Sequence, residues 1–412
     1  MLALLSLLAA SLSCQSVVGE AVSTEAVLPS TVAADSQPAE ANPPAVQTQS
    51  PDPEATPSAA PGATPINASE LAPWTRQVVQ VPAPSLKDNM LGEADEQPVE
   101  IYLPPSYEDS DLRYPVVYFL PGFSSADDGS NQSFFLEDLA ALLAAGEIEE
   151  KILVVPNGAN ILNGSFYVNS PVTGNWEDFI VQDVTGYIDA NYRTIARPEG
   201  RGLGGFSMGG FGAINLAMRH PDLFSAAYLL SPGLFDEDGL AQSMMFDSPN
   251  KPRNFLEETQ PELGALSIED ALTRISKYEG ALEFTIAYGA AFAPNPEAPP
   301  PYFDYPMSLV DGDLERIPKL WKQWEQGFGG WQAKVEQNRE NLLALRGILI
   351  DYAEDDRLAW IPLGSEYLSR VLTENGIPNT LLHYPGNHGD LWGERLHQVM
   401  LPFFDEVLVE VE

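Results

Sequence analysis

The chain has 412 residues, with 21 Lys and Arg against 59 Asp and Glu, for a formal charge of −38. Acidity on that scale argues against a nucleic-acid partner, whose phosphates have to be met by a basic face. The lone cysteine, Cys14, rules out an internal disulfide framework, so the fold has to rest on a packed core.

In chain order, Leu2 to Leu12 is an unbroken run of small and apolar residues, too short to cross a bilayer and suited to the core of a secretory signal. Cys14 follows in SLSCQS, where small residues flank the thiol. This resembles a bacterial lipoprotein cleavage site and implies membrane anchoring through a lipidated Cys14, with simple secretion as the other expectation. The resemblance is incomplete: Ser11 stands where an aliphatic residue is preferred, and no positive charge precedes the apolar run. Both routes lead to an extracytoplasmic protein. Residues 1–14 are therefore read as a signal peptide. Residues 15–75, rich in Pro, Ala, Ser and Thr, hold no basic residue and reach their first aromatic only at Trp74. Such a stretch cannot bury enough surface to offset its ordering entropy, so a disordered acidic linker is expected ahead of a folded domain at 76–412. Three N-x-S sequons, at Asn67, Asn131 and Asn163, matter only in a glycosylating host.

From residue 99 onward, short β-branched or aromatic runs alternate with helical ones. VEIYLPPSY (99–107) and YPVVYFLPGF (114–123) read as strands, and FFLEDLAALLAAGEI (134–148) as a helix burying Phe135, Leu139, Leu142 and Leu143. Then come a strand at KILVVPNG (151–158), a helix at 176–192, a strand at 201–206, a helix at about 208–219 and a strand at SAAYLLSP (225–232). This order predicts an α/β fold with a mostly parallel sheet of about eight strands, covered by helices on both faces. The rhythm breaks between about 234 and 345, a Pro- and Trp-rich stretch with helices expected at NFLEETQPEL and LERIPKLWKQWEQ, read as a cap-like insertion. It resumes with GILIDYAEDD (347–356), a helix at 362–376, NTLLHYPGNHG (379–389) and a helix near 391–408.

The segment RGLGGFSMGGFG sets one hydroxyl, Ser207, among glycines at the passage from strand to helix. A turn tight enough to expose a strained side chain needs neighbours without Cβ atoms, here Gly205 and Gly209, so GFSMG fits a G-x-S-x-G nucleophile elbow. A dinucleotide fingerprint starting at Gly202 would need a glycine where Ser207 stands. A serine hydroxyl needs a base. Of the four histidines, His220 ends the same helix about 15 Å away, His383 lies within a strand and His397 on the last helix. His388, in the Gly-flanked loop YPGNHGDLW, is the candidate base. The carboxylate that orients it should come from the loop ending LIDYAEDDRL, where Asp356 is preferred and Asp355 is the alternative. Calcium binding by this acid cluster is disfavoured because alternating ligand spacing is absent. No metal or cofactor is expected. For the oxyanion, Met208 N–H is one donor. The second comes from Gly122, Phe123 or Ser124, with Phe123 preferred, because Pro121 has no N–H.

With these residues in place, the chain resembles the esterase family of α/β-hydrolases, which includes esterase D, feruloyl and enterochelin esterases and bacterial mycolyltransferases. The resemblance runs from about residue 85 to 405 and rests on IYLPPSYE, YPVVYFLPGF, NSPVTGNWEDFI, YIDANYRT, GFSMGGFGAINLAMRHPDLF, LLSPGL and YPGNHGDLW. It departs at Pro121, where relatives commonly carry His, and at Ala353, where Gly is usual. It implies an α/β-hydrolase fold with Ser207 as nucleophile, His388 as base, Asp356 as acid, and Met208 and Phe123 as oxyanion donors. The expected activity is hydrolysis of a small-molecule or polysaccharide-linked ester. The alternatives are acyl transfer by the same residues and a surface binding protein without turnover. Trp176 and Trp392 are expected near the site as substrate-binding aromatics.

Overall fold

The computed structural model describes residues 74–124 and 136–412. The apolar leader, Cys14, almost all of the expected linker, sequons Asn67 and Asn131, and Phe135 lie outside the described residues.

Among the described residues there are twelve strands: β1 (Thr75–Pro82), β2 (Glu96–Leu103), β3 (Val116–Leu120), β4 (Ile152–Pro156), β5 (Asn169–Ser170), β6 (Gly174–Asn175), β7 (Arg201–Phe206), β8 (Ala226–Leu230), β9 (Met307–Val310), β10 (Asp313–Arg316), β11 (Gly347–Ala353) and β12 (Thr380–Tyr384). Eight form one sheet in the order β1-β2-β4-β3-β7-β8-β11-β12. The β1–β2 and β2–β4 pairings are antiparallel and the other five are parallel. The central strands β3, β4, β7 and β8 are buried along their whole length, as continuous apolar runs require when helices cover both faces. One face packs on the helices Met208–Arg219 and Trp360–Glu374, the other on Leu136–Ala145 and the C-terminal helical run through Leu396, Met400 and Phe404. This is the α/β-hydrolase fold.

Three local differences from the sequence reading have physical causes. Thr75 already belongs to β1, and Trp74 is 2% exposed, so ordered structure reaches into the last residues of the expected linker. This edge strand was not visible in the sequence because its side chains are mostly exposed and no apolar run marks it. Within LERIPKLWKQWEQ the helix spans Pro318–Phe328, and residues 314–316 belong to β10 instead. Proline is accommodated in the first turn of a helix but drives the preceding residue to extended backbone, and Ile317 has ψ 102. NFLEETQPEL falls inside a longer helical run from Asn250 to Gly264, which passes Pro261 by opening a π turn at Phe255–Thr259.

The insertion shares its core with the sheet's helical layer. Phe211, on the helix after Ser207, meets Phe292, Phe328 and Trp331 at ring-centroid distances of 5.8, 4.9 and 6.2 Å. Phe328 also meets Phe235 and Trp360. The indoles of Trp324 and Trp331 are fully buried, and each donates to a backbone carbonyl, of Asp304 and Phe328. Aromatic pairs contribute about 0.5–1.5 kcal/mol each beyond area burial, so the insertion is packed onto the core of the sheet.

The glycines around Ser207 serve backbone approach. A Cβ on Gly209 would lie 1.8 Å from Leu120 O, and one on Gly205 2.1 Å from Gly209 O. The start of the helix Met208–Arg219 therefore crosses the ends of β3 and β7 at a distance only glycine permits. Gly209→Ala should lower unfolding free energy by about 2–3 kcal/mol or more, since backbone must move to admit the methyl group, as read from the urea midpoint and slope against wild type. An unchanged midpoint would contradict this packing.

Candidate active site

Ser207 stands between β7 and the helix Met208–Arg219 at φ 54, ψ −114. A non-glycine residue there costs on the order of 1–3 kcal/mol and has to be held by its surroundings. The holding bonds come from β8, the turn beyond it and the first turn of the helix. Ser207 N donates to Leu230 O at 2.9 Å, and Ser207 O accepts from Gly233 N at 2.8 Å and Phe211 N at 3.2 Å.

His388 and Asp356 arrive from the loops after β12 and β11. His388 Nε2 lies 3.1 Å from Ser207 Oγ, and Nδ1 lies 2.6 Å from Asp356 Oδ2. The Asp356 side chain is fully buried, and its other oxygen accepts from Leu358 N at 2.8 Å. The imidazole also packs on Phe206, with centroids 4.8 Å apart and planes 32° from parallel, which restricts its rotation. The two loops are joined by hydrogen bonds: Asp355 N donates to Gly386 O, and Asn387 Oδ1 accepts from the N–H groups of both Arg357 and His388 at 2.8 Å. Behind them, buried Asp351 pairs with Arg395 at 2.8 and 2.9 Å and accepts the Tyr228 hydroxyl at 2.6 Å. That ion pair ties the helix after the His388 loop to β11.

The remaining acids and histidines of these segments have other partners. Glu354 pairs with His383 at 2.5 Å, and His220 with buried Glu177 at 2.7 Å. His397 is buried 3.7 Å from Asp138, and burial holds its pKa below the ordinary imidazole value. Asp355 is exposed. Of the two carboxylates weighed from the sequence, Asp356 is the one on the imidazole. Among the described residues no group of three or more His, Cys, Asp or Glu side chains is arranged to hold a metal ion.

Among the described residues, both expected oxyanion amides are unengaged. Neither Met208 N nor Phe123 N has a hydrogen-bond acceptor among the described residues, whereas Ser124 N is taken by Asn163 O at 2.9 Å. The carbonyl of Pro121 is fixed by Tyr167 Oη at 2.8 Å, which sets the direction in which the chain leaves β3. The departure at Pro121 thus leaves an ordered turn.

The two tryptophans have other neighbours. Trp176 is fully buried, donates Nε1 to Thr173 O at 2.9 Å and packs edge-on against Phe179. Trp392 packs edge-on against Phe119 and borders a separate surface groove of about 630 Å³, with Asp138, Leu142 and His397. Neither makes a ring contact or hydrogen bond with Ser207, Phe206 or His388. Proximity in sequence to a motif was their only signal, and large aromatics serve cores as readily as pockets. Phe206 and Asn387 were missed as neighbours of the imidazole. Both stand beside motif residues, but only the folded geometry shows what they touch.

A model of the Esterase family matches residues 94–336. The chain belongs to that family. Two Mycobacterium tuberculosis relatives, Esterase MT1326 of strain CDC 1551 / Oshkosh and Esterase Rv1288 of strain ATCC 25618 / H37Rv, are each 36% identical over 136 residues. The match takes in 31% of this chain and 27% of each relative, so it spans well under a third of their length. A solved ferulic acid esterase superposes over 82% of this chain and all of its own, with a TM-score of 0.52 at 20% identity, a likeness of fold.

The His388–Asp356 contact yields a direct check. A far-downfield Nδ1–H proton resonance should be present in wild type and in Asp355→Ala and absent from Asp356→Ala; its survival in Asp356→Ala would remove Asp356 from the imidazole.

Proposed function

We propose that this Esterase-family chain is an exported serine carboxylic-ester hydrolase acting through an acyl-enzyme on Ser207. The observation that carries the reading is the continuous hydrogen-bonded line from Ser207 Oγ through His388 to buried Asp356. In acylation, Ser207 Oγ bonds to the ester carbonyl carbon while its proton passes to His388 Nε2. The carbonyl oxygen becomes an oxyanion that accepts from Met208 N–H and Phe123 N–H. Collapse breaks the bond to the alkoxy oxygen, and His388 returns the proton to the departing alcohol. Water then attacks the acyl carbon, its proton goes to His388, and the carboxylic acid leaves as the proton returns to Ser207. Asp356 stays ionised throughout and compensates the imidazolium. The cycle uses only side chains, backbone amides and water.

A small-molecule or polysaccharide-linked ester is the proposed substrate, in keeping with a fold shared with a ferulic acid esterase. The charge of −38 favours neutral esters over anionic ones. Export rests on the apolar run Leu2 to Leu12 and on Cys14, the proposed site of lipid attachment.

A fluorophosphonate probe should add covalently to the Ser207 peptide by mass spectrometry, and Ser207→Ala should abolish labelling and lower turnover of 4-nitrophenyl acetate by about four to six orders of magnitude. Folded wild-type protein that neither labels nor turns over would be a binding protein. Transfer of most acyl groups to an added alcohol or sugar in preference to water would make it an acyltransferase.

A further inference from the structure

The amide of Phe123 can stabilise an oxyanion only if it points in a fixed direction. Ser124, the next residue, has φ 58, and Asn163, whose carbonyl takes the Ser124 N–H, has φ 66. Two non-glycine residues in the left-handed region, facing each other across a single hydrogen bond, need outside support. It comes from the insertion. Glu283, near the start of the helix Ala281–Phe292, accepts from Asn163 Nδ2 at 2.5 Å and from Ser124 Oγ at 3.4 Å with the same oxygen. Its neighbour Phe284 meets the Phe123 ring edge-on at 5.0 Å and the Phe166 ring at 5.5 Å. Consecutive residues of one helix thus reach the turn, Glu283 through the side chains of Asn163 and Ser124 and Phe284 through the ring of the donor residue.

We propose that Glu283 is a positioning residue for the oxyanion donor, so that the inserted segment takes part in catalysis by aiming the Phe123 amide. This rests on the esterase reading above. An ionised carboxylate only accepts, so one group can hold two donors from two loops at once. Glu283 lies 120 residues from Asn163 and 159 from Ser124, which makes the brace a property of the folded insertion. Without it Ser124, among the described residues, keeps only its bond to Asn163, whose own turn is held by Asn163 N on Asn160 O at 2.7 Å, and the aim of the preceding amide loses a constraint.

Loss of an oxyanion donor typically lowers kcat by about 10²–10³-fold, and small misplacements by up to about a hundredfold. For 4-nitrophenyl acetate, Glu283→Ala should lower kcat about 10- to 100-fold with KM changed less than threefold. It should weaken inhibition by a trifluoromethyl ketone, whose hemiketal oxyanion needs the same donor, by a similar factor. The thermal midpoint and the final extent of fluorophosphonate labelling should stay near wild type. Glu283→Gln, which keeps an acceptor and drops the charge, should retain most of kcat. Asn163→Asp should impair it by setting two carboxylates together, and adding Glu283→Gln to Asn163→Asp should recover it by exchanging donor and acceptor. A Glu283→Ala kcat within twofold of wild type, a loss explained by a matching fall in labelled protein, or no recovery in the double variant would each overturn the proposal. Wild-type protein that neither labels nor turns over would overturn the esterase reading itself, and this inference with it.

Discussion

The site depends on three strands ending at one rim. Ser207, Asp356 and His388 follow β7, β11 and β12, and β8 lies between the first and the second. Parallel pairing puts the C-terminal ends of all four strands on the same edge, so a serine and a histidine 181 residues apart come within 3.1 Å. A slip of one residue in β11 or β12 would invert the faces on which their side chains lie. The Asp351–Arg395 pair guards against such a slip, because a buried charge that loses its partner costs about 3–5 kcal/mol.

Most of this arrangement can be read from the sequence because its parts obey local rules. Gly205 and Gly209 are required by backbone approach, and the apolar runs of β3, β4, β7 and β8 by burial on both faces. His388 follows from elimination among four histidines, given chain order. Asp355 and Asp356 could not be separated on those grounds, since adjacent loop residues have the same composition and opposite directions. The fold separates them through the Leu358 N–H bond that turns Asp356 inward. Strand β1 and the hairpin of β9 and β10 stayed hidden because exposed strands carry no apolar period. Trp176 and Trp392 were expected beside the site on chemistry alone. Trp176 fills core space, and Trp392 packs on Phe119 at the edge of a surface groove.

The insertion changes character between sequence and structure. Read as residues, it interrupts an α/β rhythm with Pro-rich and Trp-rich segments. In the fold its aromatic rings continue the layer that covers the sheet, from Phe211 through Phe328 to Trp360. Ring contacts of this number join the segment to the core as one packed layer.

The contact between Asn163 and Glu283 bears on how the protein should be produced. Asn163 begins an Asn-Gly-Ser triplet, and the nitrogen that reaches Glu283 is the one to which an oligosaccharyltransferase attaches sugar. A glycosylating host would put a glycan in place of that bridge, so its product and that of a host without this modification would differ beside the Phe123–Ser124 turn while sharing one polypeptide.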